Sequence, residues 1–413
     1  MWTLGRNFFL LWQGQLLSQL GNQAFLIAAA FFTLDKTGSA TLVGIVMMAS
    51  TIPIALIGPV GGTIADRHSR RSILITTDIL RAVAVGALAG LIAWWPTATT
   101  AHVVALVATS FFSGSMGALF RPAVQAAIPD LVPVDRLAAA NSLNQISLHA
   151  AALAGQAVGG LLYAALGAAA LLFFDALTFL YGAVATAFIP PDPRRRRENR
   201  RLLAAIREYA IETGEGLSYL REHRGMTAVL VLFAGVNFLF MPVFVLLPLY
   251  VREVLGAGTQ WYGFLMAGSG AGALTASVTA GLMLRRVRSM RRLIGGCVLG
   301  IAGALLVVAM TPSVWPALTA FVAIGAFSAV VNIAVITAFQ TSVPAAVRGR
   351  VMALVVSVSA LAVPIGMALG GVIGDIWRSS LRVVIAGCAV SIAALLGVGQ
   401  LAREPRITDS DRH

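Results

Sequence analysis

Twelve apolar runs, each long enough to cross a bilayer, alternate with short polar breaks along the chain. They cover about 10–34, 39–62, 72–95, 101–121, 138–165, 168–190, 226–251, 259–284, 292–311, 314–340, 350–374 and 379–401. A spanning helix needs about 20 predominantly apolar residues. A barrel strand would alternate apolar and polar positions over about 10 residues, and these runs do not. The pattern predicts an all-α membrane protein with twelve transmembrane helices. One break is longer than the rest, PPDPRRRRENRR at 190–201. After it, Leu202, Leu203, Ile206, Tyr209, Leu217 and Leu220 recur at near-helical spacing with Arg and Glu between them. That spacing predicts an amphipathic helix on the cytoplasmic face. Gly214 and Gly216 weaken it, and the alternative is a flexible charged linker.

Charge placement orients the helices. With the N-terminus in the cytoplasm, the inner breaks hold Arg67, Arg70, Arg71, Arg136, the run Arg194 to Arg197, and Arg200, Arg201, Arg207, Arg221 and Arg224. They also hold Arg285, Arg286, Arg288, Arg291, Arg292, Arg348 and Arg350, with Arg403, Arg406 and Arg412 in the tail. The outer breaks hold only Lys36, Arg252, Arg378 and Arg382. Positive charge collects on the cytoplasmic side. The chain is expected as a multi-pass cell (inner or plasma) membrane protein with both termini cytoplasmic. Composition agrees: 58% of the 413 residues are hydrophobic and 11% are charged, against roughly 25% charged in a soluble domain. The net charge of +13 does not point to nucleic acid, because the arginines punctuate apolar runs and are not gathered on a soluble domain. Cys297 and Cys388 lie inside apolar runs and give neither a disulfide framework nor a metal cluster. The first apolar run lacks a small-residue cleavage site and reads as a retained helix. No Walker loop, HExxH or GxSxG occurs in the sequence. We expect no enzyme, no cofactor and no metal. Energy for uphill transport would then come from an ion gradient.

The two halves share landmarks. In the first, Gly62 precedes a basic break, Gln125 and Pro129 end the fourth helix, and Gly155, Gly159 and Gly160 mark the fifth. In the second, Gly281 precedes a basic break, Gln340 and Pro344 end the tenth helix, and Gly366, Gly370 and Gly371 mark the eleventh. Repeated halves around a midplane site are transporter architecture. The expected organisation is a six-helix half over 1–190, a linker over 191–225, a second six-helix half over 226–402 and a tail over 403–413.

Several polar residues interrupt the apolar helices. Gln15, Gln19, Asn22 and Gln23 form one stripe on the first helix; Asn141, Gln145, His149 and Gln156 form another on the fifth. Lipid cannot satisfy such groups, so they face a cavity or a partner helix. Histidine as a residue type titrates near physiological pH, which makes His149 a candidate to carry a coupling proton, and a hydrogen-bonding role is the alternative. Asp78 and Arg81 are three residues apart on one face of the third helix. They are expected to pair with each other, with Asp66 or with Arg121, because an isolated intramembrane charge is costly. Asp175 is the most deeply placed carboxylate.

The stretch Gly61 to Arg71, GGTIADRHSRR, resembles the loop signature between helices two and three of the major facilitator superfamily. Gly62, Asp66, Arg67, Arg70 and Arg71 stand at matching places; Ser69 replaces a glycine of the pattern. In the second half Arg285 stands where the acid would be. LWQGQLLSQLGN (11–22), LDKTGSAT (34–41), IPDLVPVDRLAAANSL (128–143) and EGLSYLREHRG (215–225) together resemble the drug and siderophore efflux branch, which includes the enterobactin exporter and the macrolide efflux proteins. GQAVGG (155–160) resembles an antiporter signature with Gln156 in place of a proline.

The resemblance implies a major facilitator fold with a conformational latch at the cytoplasmic rim. The latch would be built from Gly62, Asp66, Arg67, Arg70 and Arg71, with Asp78, Arg81 and Arg121 near it. A purely topological role for the basic loop is the alternative, and it leaves Asp66 unexplained. The resemblance further implies a substrate cavity lined by Gln15, Gln19, Asn22, Gln23, Gln145, His149, Gln156, Asn237 and Asn332. It places the sixth helix, with Asp175, outside the bundle. His149 and Asp175 are the proton-coupling candidates. The expected activity is export of a small amphipathic compound (drug, macrolide or siderophore-like) in exchange for protons. The expected partners are that small molecule, the proton and the lipid bilayer, with no nucleic acid, and the chain is expected to act as a monomer. An importer or facilitator on the same fold, and a non-transporting membrane sensor or scaffold, are the competing readings.

Overall fold

The computed structural model describes residues 4–190, 202–286 and 289–401; the basic run Arg194 to Arg197 and the tail at 403–413 lie outside the described residues. Twelve α-helices follow in chain order: α1 Arg6–Thr37, α2 Ala40–Arg67, α3 Arg70–Trp94, α4 Thr99–Leu131, α5 Leu137–Ala187, α6 Leu202–Glu222, α7 Arg224–Leu249, α8 Thr259–Arg286, α9 Met290–Met310, α10 Val314–Ser342, α11 Ala345–Ile376 and α12 Leu381–Leu401. Ten helical segments among the described residues are long and apolar enough to cross a membrane. α5 contains two of the expected spans. They meet at Gly167, whose φ of 76° only glycine adopts without strain. α6 occupies the segment between the apolar runs, and α8 is the one expected span that is not among the ten.

The breaks are built from local caps. Gly38 closes α1 with φ 66°, and the Ser39 side chain accepts from Leu42 N to open α2. Ser69 has φ −59°, and its hydroxyl accepts from Ser72 N at the start of α3. The loop therefore turns through a serine N-cap and needs no positive φ where the family pattern has glycine. Ser289 plays the same part for α9, accepting from Arg292 N. One landmark behaves differently from its sequence reading. Pro129 does not end α4, which continues to Leu131 with Pro129 inside it. A proline this close to a helix end removes few intrahelical bonds, and Arg70 donates to the Ala126 carbonyl in that last turn. Pro344 instead stands at the N-cap of α11, after α10 has ended at Ser342.

Helix pairing repeats along the chain. α2 packs on α4 as α8 packs on α10; α3 on α4 as α9 on α10; α1 on α5 as α7 on α11. Lipid tails give little hydrophobic drive for such pairing, so close packing of small residues carries it. Between the helices before and after the 191–201 break, the main contacts are α2 with α11 and α5 with α8. A buried apolar cluster of Ala30, Leu34, Ala40, Val43 and Met47 with Val245, Leu246, Leu249, Met367 and Leu381 fills one end of that junction. The same end carries exposed Trp94, Trp95, Trp315 and Trp377, as an interfacial aromatic belt does. The opposite end carries Arg70, Arg71, Arg291, Arg292, Arg348 and Arg350 among the described residues.

Candidate transport cleft and its closed end

At the tryptophan end the two sets of helices touch backbone to backbone. A Cβ placed on Gly44 would fall 2.6 Å from Met367 O, and one on Gly371 would fall 2.6 Å from Ala40 O. Glycine at both positions lets α2 and α11 cross this closely. Gly160 likewise faces Gly263 across α5 and α8.

Charged groups clamp the same end. The Asp375 carboxylate at the end of α11 accepts from Ser39 Oγ (2.6 Å), Ala40 N (2.6 Å) and Thr41 N (2.9 Å). It thereby caps the positive N-terminus of α2. Arg378 donates to Gly38 O (2.5 Å) and pairs with Glu253 (2.6 Å). Glu253 lies in a π-helical turn, Tyr250–Val254, that prolongs α7. In the same turn Arg252 pairs with Asp35 at 2.6 Å, and Tyr163 donates to that carboxylate at 2.7 Å.

Toward the arginine-rich end α5 and α8 separate. Gln145, His149, Leu153, Gln156 and Gly160 form one helical stripe on α5. Its upper members meet α8: Gly160 lies against Gly263, Gln156 O against Gly263, and Leu153 against Gly270. Its lower members, Gln145 and His149, are exposed. Ser277, which continues the Gly263 and Gly270 face of α8, is exposed as well. Two faces that touch at one end and are both uncovered at the other define a cleft. The α8 sequence, TQWYGFLMAGSGAGALTASVTAGLMLRR, is rich in Gly, Ser and Thr. That composition suits a helix lining water.

The remaining polar residues are distributed around this cleft. Gln156 Nε2 donates to Gln23 Oε1 at 3.2 Å, the one pair among the cavity candidates that the structure joins by a side-chain hydrogen bond among the described residues. Gln15 is buried, and Gln19 and Asn22 are half-buried on α1. Asn237 Nδ2 donates to Phe233 O of its own helix at 2.8 Å, and Asn332 is exposed on α10. Trp12 Nε1 donates to Ser147 Oγ at 2.6 Å, a second α1–α5 tie that sequence reading did not single out.

The basic loop is braced within the earlier helices. Arg70 pairs with Asp130 at the end of α4, and Arg71 Nη2 donates to Ala187 O at 2.7 Å at the end of α5. The side chains of Gly62, Asp66 and Arg67 lie outside the described residues. Asp78 and Arg81 are buried and stand within electrostatic reach of each other, with no ion pair within 4.0 Å joining them among the described residues; the Asp66 alternative lies outside the described residues. The Arg81 guanidinium lies between the rings of Phe120 (5.3 Å) and Phe179 (5.2 Å), and Asp78 Oδ2 packs where a Cβ on Gly182 would sit. Arg121 is exposed on α4.

The chain matches the family model described as transmembrane secretion effector (MFS_3) over residues 4–411. It belongs to that family. It is therefore a transporter of the major facilitator type and not an enzyme. It is 28% identical to the uncharacterized MFS-type transporter YfiS of Bacillus subtilis (strain 168), across 95% of this chain and 93% of that protein. It is 26% identical to macrolide efflux protein A of Streptococcus pyogenes, across 91% and 90%. Among solved structures, a bacterial homolog to the human lysosomal transporter Spinster, in an inward-facing and occupied conformation, superposes with a TM-score of 0.73 at 15% identity over 96% of each chain. The transporter thus shares the fold of that protein, and its family and efflux relatives agree with the helical membrane architecture.

Proposed function

We propose that this transporter exports a small amphipathic compound, of drug, macrolide or siderophore-like class, by alternating access in exchange for protons. The observation that carries the proposal is the asymmetry of the α5–α8 and α2–α11 contacts. The cleft is open where the arginines collect and clamped where Asp375 caps α2. With the arginines and both termini on the cytoplasmic side, this is the cytoplasm-open state, ready to load cargo from within. The repeated pairing of α1 to α5 with α7 to α12 supports two six-helix halves, over 1–190 and 226–402, with α6 in a cytoplasmic linker over 191–225. Cargo contacts would come from Gln15, Gln19, Asn22, Gln23, Gln145, His149, Gln156, Asn237 and Asn332. Gln23 and Gln156 are already paired, so cargo would exchange one amide contact for another without exposing a bare polar group.

The outward-open state requires the clamp to part and the cytoplasmic ends to meet. The Asp66 loop is then the latch: Arg70 and Arg71 hold α4 and α5 in this state, and Asp66 and Arg67 would meet the second half in the other. Exposed ion pairs are worth about 0–1 kcal/mol each, so a few can be remade in each cycle. The test is accumulation of a macrolide, a siderophore and a cationic dye in cells with and without the transporter, before and after a protonophore. Lower accumulation that the protonophore reverses is the expected result. Equal accumulation across the panel rejects export, and lowering that survives the protonophore rejects proton exchange.

A further inference from the structure

Behind α1, on the side away from the α8-facing stripe, lies a polar cluster with no partner in the cleft. Asp78 is 2% exposed, Asp175 is 1% exposed and Arg81 is 9% exposed. Four helical segments enclose them. α3 supplies Asp78 and Arg81; the second arm of α5 supplies Asp175, Thr178 and Gly182; α1 supplies Ser18 and Gly21; α4 supplies Gly117 and Phe120. Ser18 Oγ donates to Thr178 O at 3.3 Å, and Thr178 Oγ1 donates to Asp175 O at 2.7 Å. A Cβ on Gly21 would fall 2.5 Å from Asp175 Oδ1, and one on Gly182 would fall 2.9 Å from Asp78 Oδ2. Both carboxylates are thus pressed against glycines of neighbouring helices. Asp78 Oδ1, Asp175 Oδ1 and Arg81 Nε are buried with no hydrogen-bond partner.

Charge does not balance in this pocket. Arg81 stands within electrostatic reach of Asp78, Asp175 and Arg121. Arg121 acts on Arg81 and not on either acid, so it does not compensate them. Neither α1 nor the α5 arm adds another charged group here. Two buried acids therefore share one buried cation. That cation is held between two ring faces and not by a bidentate carboxylate. One surplus negative charge in a low-dielectric site is costly, and like charges sharing a site cannot both ionise freely.

We propose that Asp78 and Asp175, with Arg81 between them, hold one exchangeable proton, and that this proton site is separated from the cargo cleft by α1. The proposal rests on the proton-exchange reading above and assigns its proton to this pair, leaving His149 to cargo contact. The step is a proton passing from water to a carboxylate oxygen, which changes the cluster from net −1 to neutral. Because Ser18 and Gly21 touch the cluster, Asn22 lies one turn on from Ser18, and Gln19 and Gln23 lie on other faces of α1, a change at the acids reaches the cargo residues through one rigid helix.

Infrared difference spectra of the purified full-length transporter, recorded across a pH step in lipid nanodiscs, read the carbonyl stretch of a protonated buried carboxyl. The proton itself is the probe, so no cargo is needed. The expected result is a pH-dependent carboxyl band equivalent to one proton, lost in Asp175→Asn, shifted in its midpoint in Asp78→Asn, and retained in Asp175→Glu. In the wild type, 13C-labelled aspartate shifts the band, which keeps the test open if Asp175→Asn does not fold. No such band, or one unaltered in both Asn variants, overturns the proposal. A band that appears only when sodium chloride is replaced by choline chloride also overturns it and marks a sodium site. Export without the band removes this site and spares the function; the band without export does the reverse.

Discussion

Asp375 reaches across the junction to close the N-terminus of α2 with three hydrogen bonds at one carboxylate. Losing a cap of this kind costs about 1 kcal/mol at a half-exposed site, which shifts a two-state equilibrium roughly five-fold. Asp375→Ala is therefore expected to populate the state open at the tryptophan end. Spin labels at Thr97→Cys and Ser313→Cys, in the last residues of that end before and after the linker, should report a longer-distance population. An unchanged distance distribution contradicts the clamp. Residue-level features of this kind were only partly legible. The polar stripes of α1 and α5, Asp175, and the Arg70 and Arg71 loop could be read from spacing. The clamp could not, because Ser39 and Asp375 are far apart in sequence, and an acid at a helix end looks like any loop acid. The one local signal was Gly38 followed by Ser39, a C-cap and an N-cap in succession. Asp130 was hidden in the same way, inside a stretch quoted only for its family likeness. The surroundings of Asp78 and Arg81 were not legible, because sequence spacing shows which groups share a helix face and not which aromatic rings from α4 and α5 enclose them.

Helix lengths and breaks were largely written in the apolar runs, and the differences have local causes. Pro129 was read as a stop, yet α4 passes through it to Leu131. The glycines of α8 meet α5 and α10 at backbone distance, and its exposed Ser277 borders the cleft. Gly167 is where one 51-residue helix becomes two spans. With φ 76° and ψ −179° it lies in a region essentially reserved for glycine, which would cost an L-residue about 1–3 kcal/mol, and no neighbouring atom stands within 4 Å to add a clash. Gly167→Ala should lower the thermal unfolding midpoint modestly and leave the α1–α5 contacts intact. Melting followed by intrinsic fluorescence measures it. A wild-type or raised midpoint contradicts the assigned kink. The ion pair between Glu215 of α6 and Arg350 of α11, 2.5 Å and half-exposed, is worth at most about 1 kcal/mol. It anchors α6 beside α11 and contributes little to overall stability.

At the scale of the whole molecule, what matters is which end is closed. Helix pairing that repeats before and after the linker, main contacts at α2–α11 and α5–α8, and a clamp at the tryptophan end leave a route into the centre from the arginine-rich end among the described residues. That route passes Gln145 and His149. Proton exchange, cargo class and the Asp66 latch all depend on the route opening toward the cytoplasm in this state. Accessibility of position 149 tests it most directly. His149→Cys, in a Cys297→Ser and Cys388→Ser background, is exposed to a membrane-impermeant maleimide in inside-out and right-side-out vesicles. The structure predicts labelling in inside-out vesicles and little in right-side-out ones, with Asp375→Ala raising the latter. Labelling confined to right-side-out vesicles, or absent from both, would contradict a cleft open to the cytoplasm.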